Sequence, residues 1–198
     1  PLIYGQSVKD QVYEKLLPNG LQVLIKEDHR APVAYVELRY KVGALHEQVG
    51  KTGLAHILEH MMFKSTKKLK VGEFGKIMND LGASFNATKS MDRTNYYATV
   101  PVNGLNRVLE LEADRMANLR LLKEELTKER GVVLEERRMR TDDVPSSLLY
   151  EQFLVAAHTG GPYRHMPIGW ANDIKQYQPK DVYDFYRKYY SPSNAVLV

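Results

Sequence analysis

The run Leu54-Ala-His-Ile-Leu-Glu-His-Met-Met-Phe63 constrains this chain more than any other stretch. Its apolar residues are nearly continuous, broken only by His56, Glu59 and His60, so a helix over residues 54–63 must be buried on most sides. Burying three ionisable side chains in such a helix is costly unless they satisfy one another or coordinate something. His56 and His60 stand four apart, one above the other on one helical face, where both imidazoles can reach a single ion. Glu59 adjoins His60 and is offset from the two-histidine axis, which suits it to hold a water rather than the ion. A histidine pair at this spacing also arises by chance on solvated helices, but the apolar setting weighs against that reading here.

Composition narrows the chemistry further. The chain has 198 residues and no cysteine, which excludes disulfides, thiolate zinc sites, iron–sulfur clusters and a cysteine nucleophile. Any metal must rest on histidine and carboxylate. Lys and Arg number 28 against 24 Asp and Glu, a formal charge of +4 that is scattered along the chain, so nucleic-acid binding is not favoured. No stretch approaches the apolar length of a spanning helix. Pro1 cannot be an initiator, which points to a processed or excised chain from which an export signal could have been removed. The periplasm is the compartment this suggests, with the cytoplasm as the alternative, since a lack of cysteine fits both.

The pattern of elements predicts an α+β fold, a largely antiparallel sheet packed against helices. Residues 13–17 and 21–26 read as strands around Pro18-Asn19-Gly20, because Asn-Gly supplies the positive φ of a hairpin connection. A third strand is expected over 34–41, and a pair over 83–87 and 94–100. Thr52 is the expected N-cap of the histidine helix. Further helices are predicted over 71–81, closed by Gly82, and over 105–119, 123–140, 147–157 and 181–190, with residues 160–167 an irregular loop and 195–198 the start of a buried strand. The whole chain, 1–198, reads as a single domain.

A catalytic zinc ion takes three protein ligands and leaves a position for water, so a third donor must come from elsewhere and must be His, Asp or Glu. The helix over 123–140 offers Glu129 and Glu136, seven apart and thus within about 20° of each other on a helical wheel. Leu122, Leu126 and Val133 share that face. Glu135 points more than about 100° away from Glu129, toward Arg137, Arg138 and solvent. Glu129 and Glu136 are therefore the inward candidates. His29, His46 and His158 read as loop or surface residues, and His165 as a possible cavity residue. The run Lys64-Ser-Thr-Lys-Lys-Leu-Lys70 reads as a solvated connection.

His56-Ile-Leu-Glu-His60 is the inverted zinc motif His-x-x-Glu-His. Its surroundings, Gly50-Lys-Thr-Gly-Leu-Ala-His-Ile-Leu-Glu-His-Met-Met-Phe63, resemble the pitrilysin family of metallopeptidases, which includes the mitochondrial processing peptidases. Gly82-Ala-Ser-Phe-Asn-Ala87, Asp92-Arg-Thr-Asn-Tyr-Tyr97, Glu129-Arg-Gly-Val-Val-Leu-Glu-Glu136, Pro162-Tyr163 and Ile168-Gly169 are similar to further family blocks in the same order. The resemblance thus covers essentially the whole chain and matches the first, zinc-bearing half of a typical catalytic subunit.

That resemblance implies one zinc ion held by His56, His60 and Glu136, the last lying 76 residues after His60. It implies Glu59 as general base and Glu129 as a supporting acidic residue of the catalytic site. It also implies that the strand Ala83, Ser84, Phe85, Asn86 and Ala87 is the edge along which an extended peptide substrate is laid. The expected activity is a zinc-dependent endopeptidase, with a C-terminal half of the same polypeptide or a homologous partner subunit supplying an arginine and a tyrosine for the substrate carbonyl. Two other readings compete. One is a non-catalytic scaffold or interaction subunit of the same fold, and the other is a zinc hydrolase acting on non-peptide amides.

Overall fold

A computed structural model describes residues 12–198; Pro1, which prompted the expectation of a processed or excised chain, lies outside the described residues. The strands are β1 (Val12–Leu16), β2 (Gln22–Lys26), β3 (Val33–Tyr40), β4 (Ser84–Lys89), β5 (Thr94–Pro101) and β6 (Ala195–Leu197). The helices are α1 (Leu54–Met61), α2 (Glu73–Asp80), α3 (Leu105–Asn118), α4 (Lys123–Arg137), α5 (Pro145–Ala157), α6 (Ala171–Gln176) and α7 (Pro179–Tyr189). The strands form one sheet in the order β1-β2-β6-β3-β5-β4, antiparallel throughout except for the β2–β6 pair.

Alternation along β3 decides which side of the sheet carries the core. Val36, Leu38 and Tyr40 are buried against helices while Val33, Tyr35 and Arg39 face outward. Leu38 and Tyr40 join Ile57, Leu58 and Met61 of α1, Leu126 and Val133 of α4, and Val182 and Tyr186 of α7 in one apolar cluster. A second cluster gathers Phe74 and Met78 of α2, Ala98 and Val100 of β5, and Val108 and Leu111 of α3. α1 thus lies in the middle of the helical layer, with β4 and the sheet on one side and α4 and α7 on the other.

The start of α1 differs from expectation. Thr52 does not cap it. Gly53 occupies the cap position with φ +86°, and the carboxylate of Glu47 reaches across the preceding loop to accept the Gly53 and Ala55 N–H groups at 2.7 and 2.8 Å. Thr52 turns away: its amide and hydroxyl donate to Asp173 Oδ2 at 3.0 and 2.7 Å, and its hydroxyl accepts from the Trp170 amide at 2.9 Å. A side chain at 53 would collide with the Ile168 carbonyl oxygen as well as needing a left-handed backbone. This glycine lets the loop before α6 pack directly on the helix start.

Other boundaries shift by a few residues. β4 runs from Ser84 to Lys89, so Ala83 precedes it and Thr88 and Lys89 extend it. α4 ends at Arg137 and passes into a π-helical turn, Arg138–Asp142, rather than continuing to 140 as an α-helix. α5 begins two residues earlier than expected, with Pro145 in its first turn. α7 begins at Pro179, its first turn bearing a capping box between Gln178 and Asp181. α6 was not expected from the sequence, since six residues are too few to show a helical period.

Candidate metal centre

α1 presents its polar residues toward α4 and β4. His56 is fully buried and His60 is half-buried, and their Nε2 atoms lie 3.0 Å apart. Glu136, near the end of α4, places Oε2 3.4 Å from both of those nitrogens. The three donor atoms form a nearly regular triangle. Ligands about 2.0–2.1 Å from a tetrahedral zinc ion would be separated by about 3.3 Å, so the observed edges match that geometry without rearrangement. Among the described residues this is the cluster of histidine and carboxylate donors able to hold a metal ion.

Each group around the triangle has a distinct partner. Glu129 Oε1 lies 2.9 Å from His60 Nδ1, the nitrogen facing away from the triangle, and Glu129 Oε2 pairs with Lys64 at 2.6 Å. Glu136 keeps Oε2 on the triangle and turns Oε1 to Arg140 at 2.7 Å. Glu59 is buried beside the triangle rather than in it. No hydrogen bond reaches its Oε2, and Lys89 of β4 stands 3.5 Å from that oxygen.

These surroundings set the protonation of the cluster. Burial pulls the His56 imidazole down to about 4, so it is neutral near pH 7 and its lone pair is available. Burial works in the same direction at His60, but the carboxylates of Glu129 and Glu136 outweigh it and raise that imidazole to about 9. Glu136 is held far below the usual carboxylate range by the two imidazoles. Glu59 moves the other way: burial raises it, against the opposing charge of Lys89. The arrangement therefore sets an ionised carboxylate and a neutral imidazole among the donors, next to an acid of raised proton affinity.

The profile of the insulinase family, peptidase family M16, matches residues 22–165, a span that contains the whole triangle. The chain belongs to peptidase family M16. It is 42% identical over 197 residues to the zinc protease PqqE of Helicobacter pylori, covering 99% of this chain and 44% of that protein. A crystal structure of a protease from Helicobacter pylori superposes with a TM-score of 0.92 at 42% identity, over 95% of this chain and 45% of the other. The crystal structure of pitrilysin superposes with a TM-score of 0.82 at 27% identity, over 98% of this chain and 21% of the other. This M16 chain thus spans less than half the length of the relatives it matches, and its α+β fold is the pitrilysin fold expected from the sequence. Relatives of this M16 chain carry the name zinc protease, and its own His-His-Glu cluster provides a donor set that suits such an ion.

The M16 chain also places several residues otherwise than the sequence suggested. Lys64 lies in the basic run read as a solvated connection, yet it pairs with Glu129. Arg137 was expected beside Glu135 and solvent. It is instead buried, donating to Glu151 at 2.8 and 2.9 Å and to the Gly169 carbonyl at 2.7 Å, while Glu135 pairs with Arg138 at the surface. Leu122 precedes α4 and is exposed rather than sharing its inward face. His165 is buried 3.8 Å from Glu47, on the cap of α1. The inward charges Lys64, Lys89, Arg137 and Glu151 have no motif of their own; only their contacts reveal them. Among the described residues, no helix is long and apolar enough to cross a membrane.

Proposed function

We propose that this chain is the metal-bearing half of a zinc-dependent endopeptidase, with His56, His60 and Glu136 as the ligands of one zinc ion. The observation that carries this reading is the triangle of His56 Nε2, His60 Nε2 and Glu136 Oε2, with edges of 3.0, 3.4 and 3.4 Å and an unbonded Glu59 oxygen beside it. When bound there, zinc supplies Lewis acidity that polarises a peptide carbonyl and eases the ionisation of water near neutral pH.

The chain's own residues divide the remaining work. Glu59 removes a proton from the attacking water as the oxygen bonds to the carbonyl carbon, then delivers that proton to the amine nitrogen as the C–N bond breaks. Two shorter peptides result. Glu129 accepts a hydrogen bond from His60 Nδ1, which leaves Nε2 to ligate; it acts on the orientation of the imidazole and not on the substrate. β4 closes one end of the sheet among the described residues, with α1 packed against it. Its segment from Ser84 to Ala87, with Ala83 before it, is the edge proposed to receive an extended peptide by main-chain pairing. A second half of the polypeptide or a homologous partner subunit completes the cavity, in keeping with the length of the relatives.

Glu59→Gln in the full-length polypeptide tests this assignment. It should retain one zinc per chain while peptide turnover falls by about 10³-fold or more. Wild-type turnover by that variant would remove Glu59 from the reaction. Zinc retention with no turnover in the wild-type polypeptide would favour the scaffold reading instead.

A further inference from the structure

Three carboxylates, Glu136 in the donor triangle and Glu59 and Glu129 beside it, each pair with one lysine or arginine, but these three cations are placed differently. Lys64 and Arg140 stand behind the cluster. They hold Glu129 Oε2 and Glu136 Oε1, the oxygens turned away from the imidazoles, at 2.6 and 2.7 Å. Lys89 comes from the opposite side, off the last residue of β4, with its side chain only 17% exposed. It faces Glu59 Oε2, and at 3.5 Å its contact is much looser than the other two.

A lysine this enclosed loses hydration that one long ion pair does not replace. Such a charge also repels a divalent cation at the triangle, so on metal affinity alone it is unfavourable. Its compensating effect is on Glu59. That carboxylate lies next to a triangle with one position left for a further donor, and a carboxylate oxygen is a good zinc ligand. An ammonium group on the sheet side holds the carboxylate away from the triangle, and the carboxylate is then available to water.

We propose that Lys89 is a positioning residue that keeps Glu59 from becoming a fourth metal ligand, at the expense of metal affinity. This rests on the zinc reading above. It predicts opposite changes in two quantities that a purely structural residue would move together. In the full-length polypeptide, Lys89→Met should bind zinc about tenfold more tightly or better, measured by competition with a chromophoric chelator. The same variant should show a kcat reduced about tenfold or more with KM nearly unchanged. Its cobalt-substituted form should show a changed visible absorption spectrum as Glu59 enters the coordination sphere, and Lys89→Arg should restore most of kcat. Unchanged zinc affinity, or zinc affinity and kcat falling together in both Lys89→Met and Lys89→Gln, would overturn the proposal while leaving the zinc reading intact. A wild-type polypeptide that binds no zinc would overturn both.

Discussion

α1 and α5 are both apolar helices, and they use that character in opposite ways. In α1 nearly every residue is enclosed, and the polar side chains His56, Glu59 and His60 are held by one another and by α4 and β4. In α5 the single buried residue is an acid, Glu151, while Leu149 and Phe153 are 73% and 59% exposed. Each helix is anchored by its polar residues as much as by its apolar ones. Glu151 forms a two-oxygen pair with Arg137, the residue after Glu136, and so ties α5 to the ligand-bearing end of α4. The contrast shows that apolar content identifies neither the inward face of a helix nor its depth; the partners available to its charges do.

The largest expected effect tests the α1 side of this contrast. His56→Ala or His60→Ala should abolish metal retention outright, since two remaining donors do not make a zinc site; elemental analysis after gel filtration reads this directly. On the α5 side, Glu151→Ala should cost about 3 kcal/mol in chemical denaturation, because buried Arg137 loses its two-oxygen partner and keeps only Asp142 and the Gly169 carbonyl. Ile57→Ala, a cavity beneath the histidines, should cost about 2–5 kcal/mol.

A titration sharpens the comparison, because α1 carries a proton that zinc must displace. His60 is raised above its ordinary value of 6.5 to about 9 by Glu129 and Glu136, against the pull of burial. The stabilisation it brings to the metal-free protein is therefore fully present below pH 6.5 and is lost as pH rises through about 9. Zinc affinity should run the other way, increasing up to about pH 9 with release of that proton, as followed by calorimetry in buffers of different ionisation enthalpy. Smallest of all, Leu149→Ala should change stability by no more than about 0.5 kcal/mol. A cost for Leu149→Ala equal to that of Ile57→Ala would erase the distinction between the two helices.

Much of the site was legible because its signals are local or periodic. Four-residue spacing brings His56 and His60 together on any α-helix, and seven-residue spacing aligns Glu129 with Glu136 on another. The Asn19-Gly20 turn was likewise legible, Gly20 taking φ +85° between β1 and β2. Thr52 failed as a cap because Glu47, a better-placed acceptor, reaches the helix start while Asp173 and Trp170 claim the threonine. The π-helical turn after Arg137 and the brief α6 carry no periodic signature, and the parallel β2–β6 pair joins strands from opposite ends of the chain.

The sequence by itself determined which residue types could meet on each helix, because helical geometry converts spacing into direction within a turn or two. It also determined that any metal here would be bound by histidine and carboxylate. Tertiary structure alone decided that α4 lies against α1, that Glu129 Oε1 meets His60 on the nitrogen facing away from the triangle, and that Lys89 arrives from the sheet to face Glu59. The reason is range: those contacts depend on how whole elements pack, and packing follows from the summed burial of the core rather than from any one spacing.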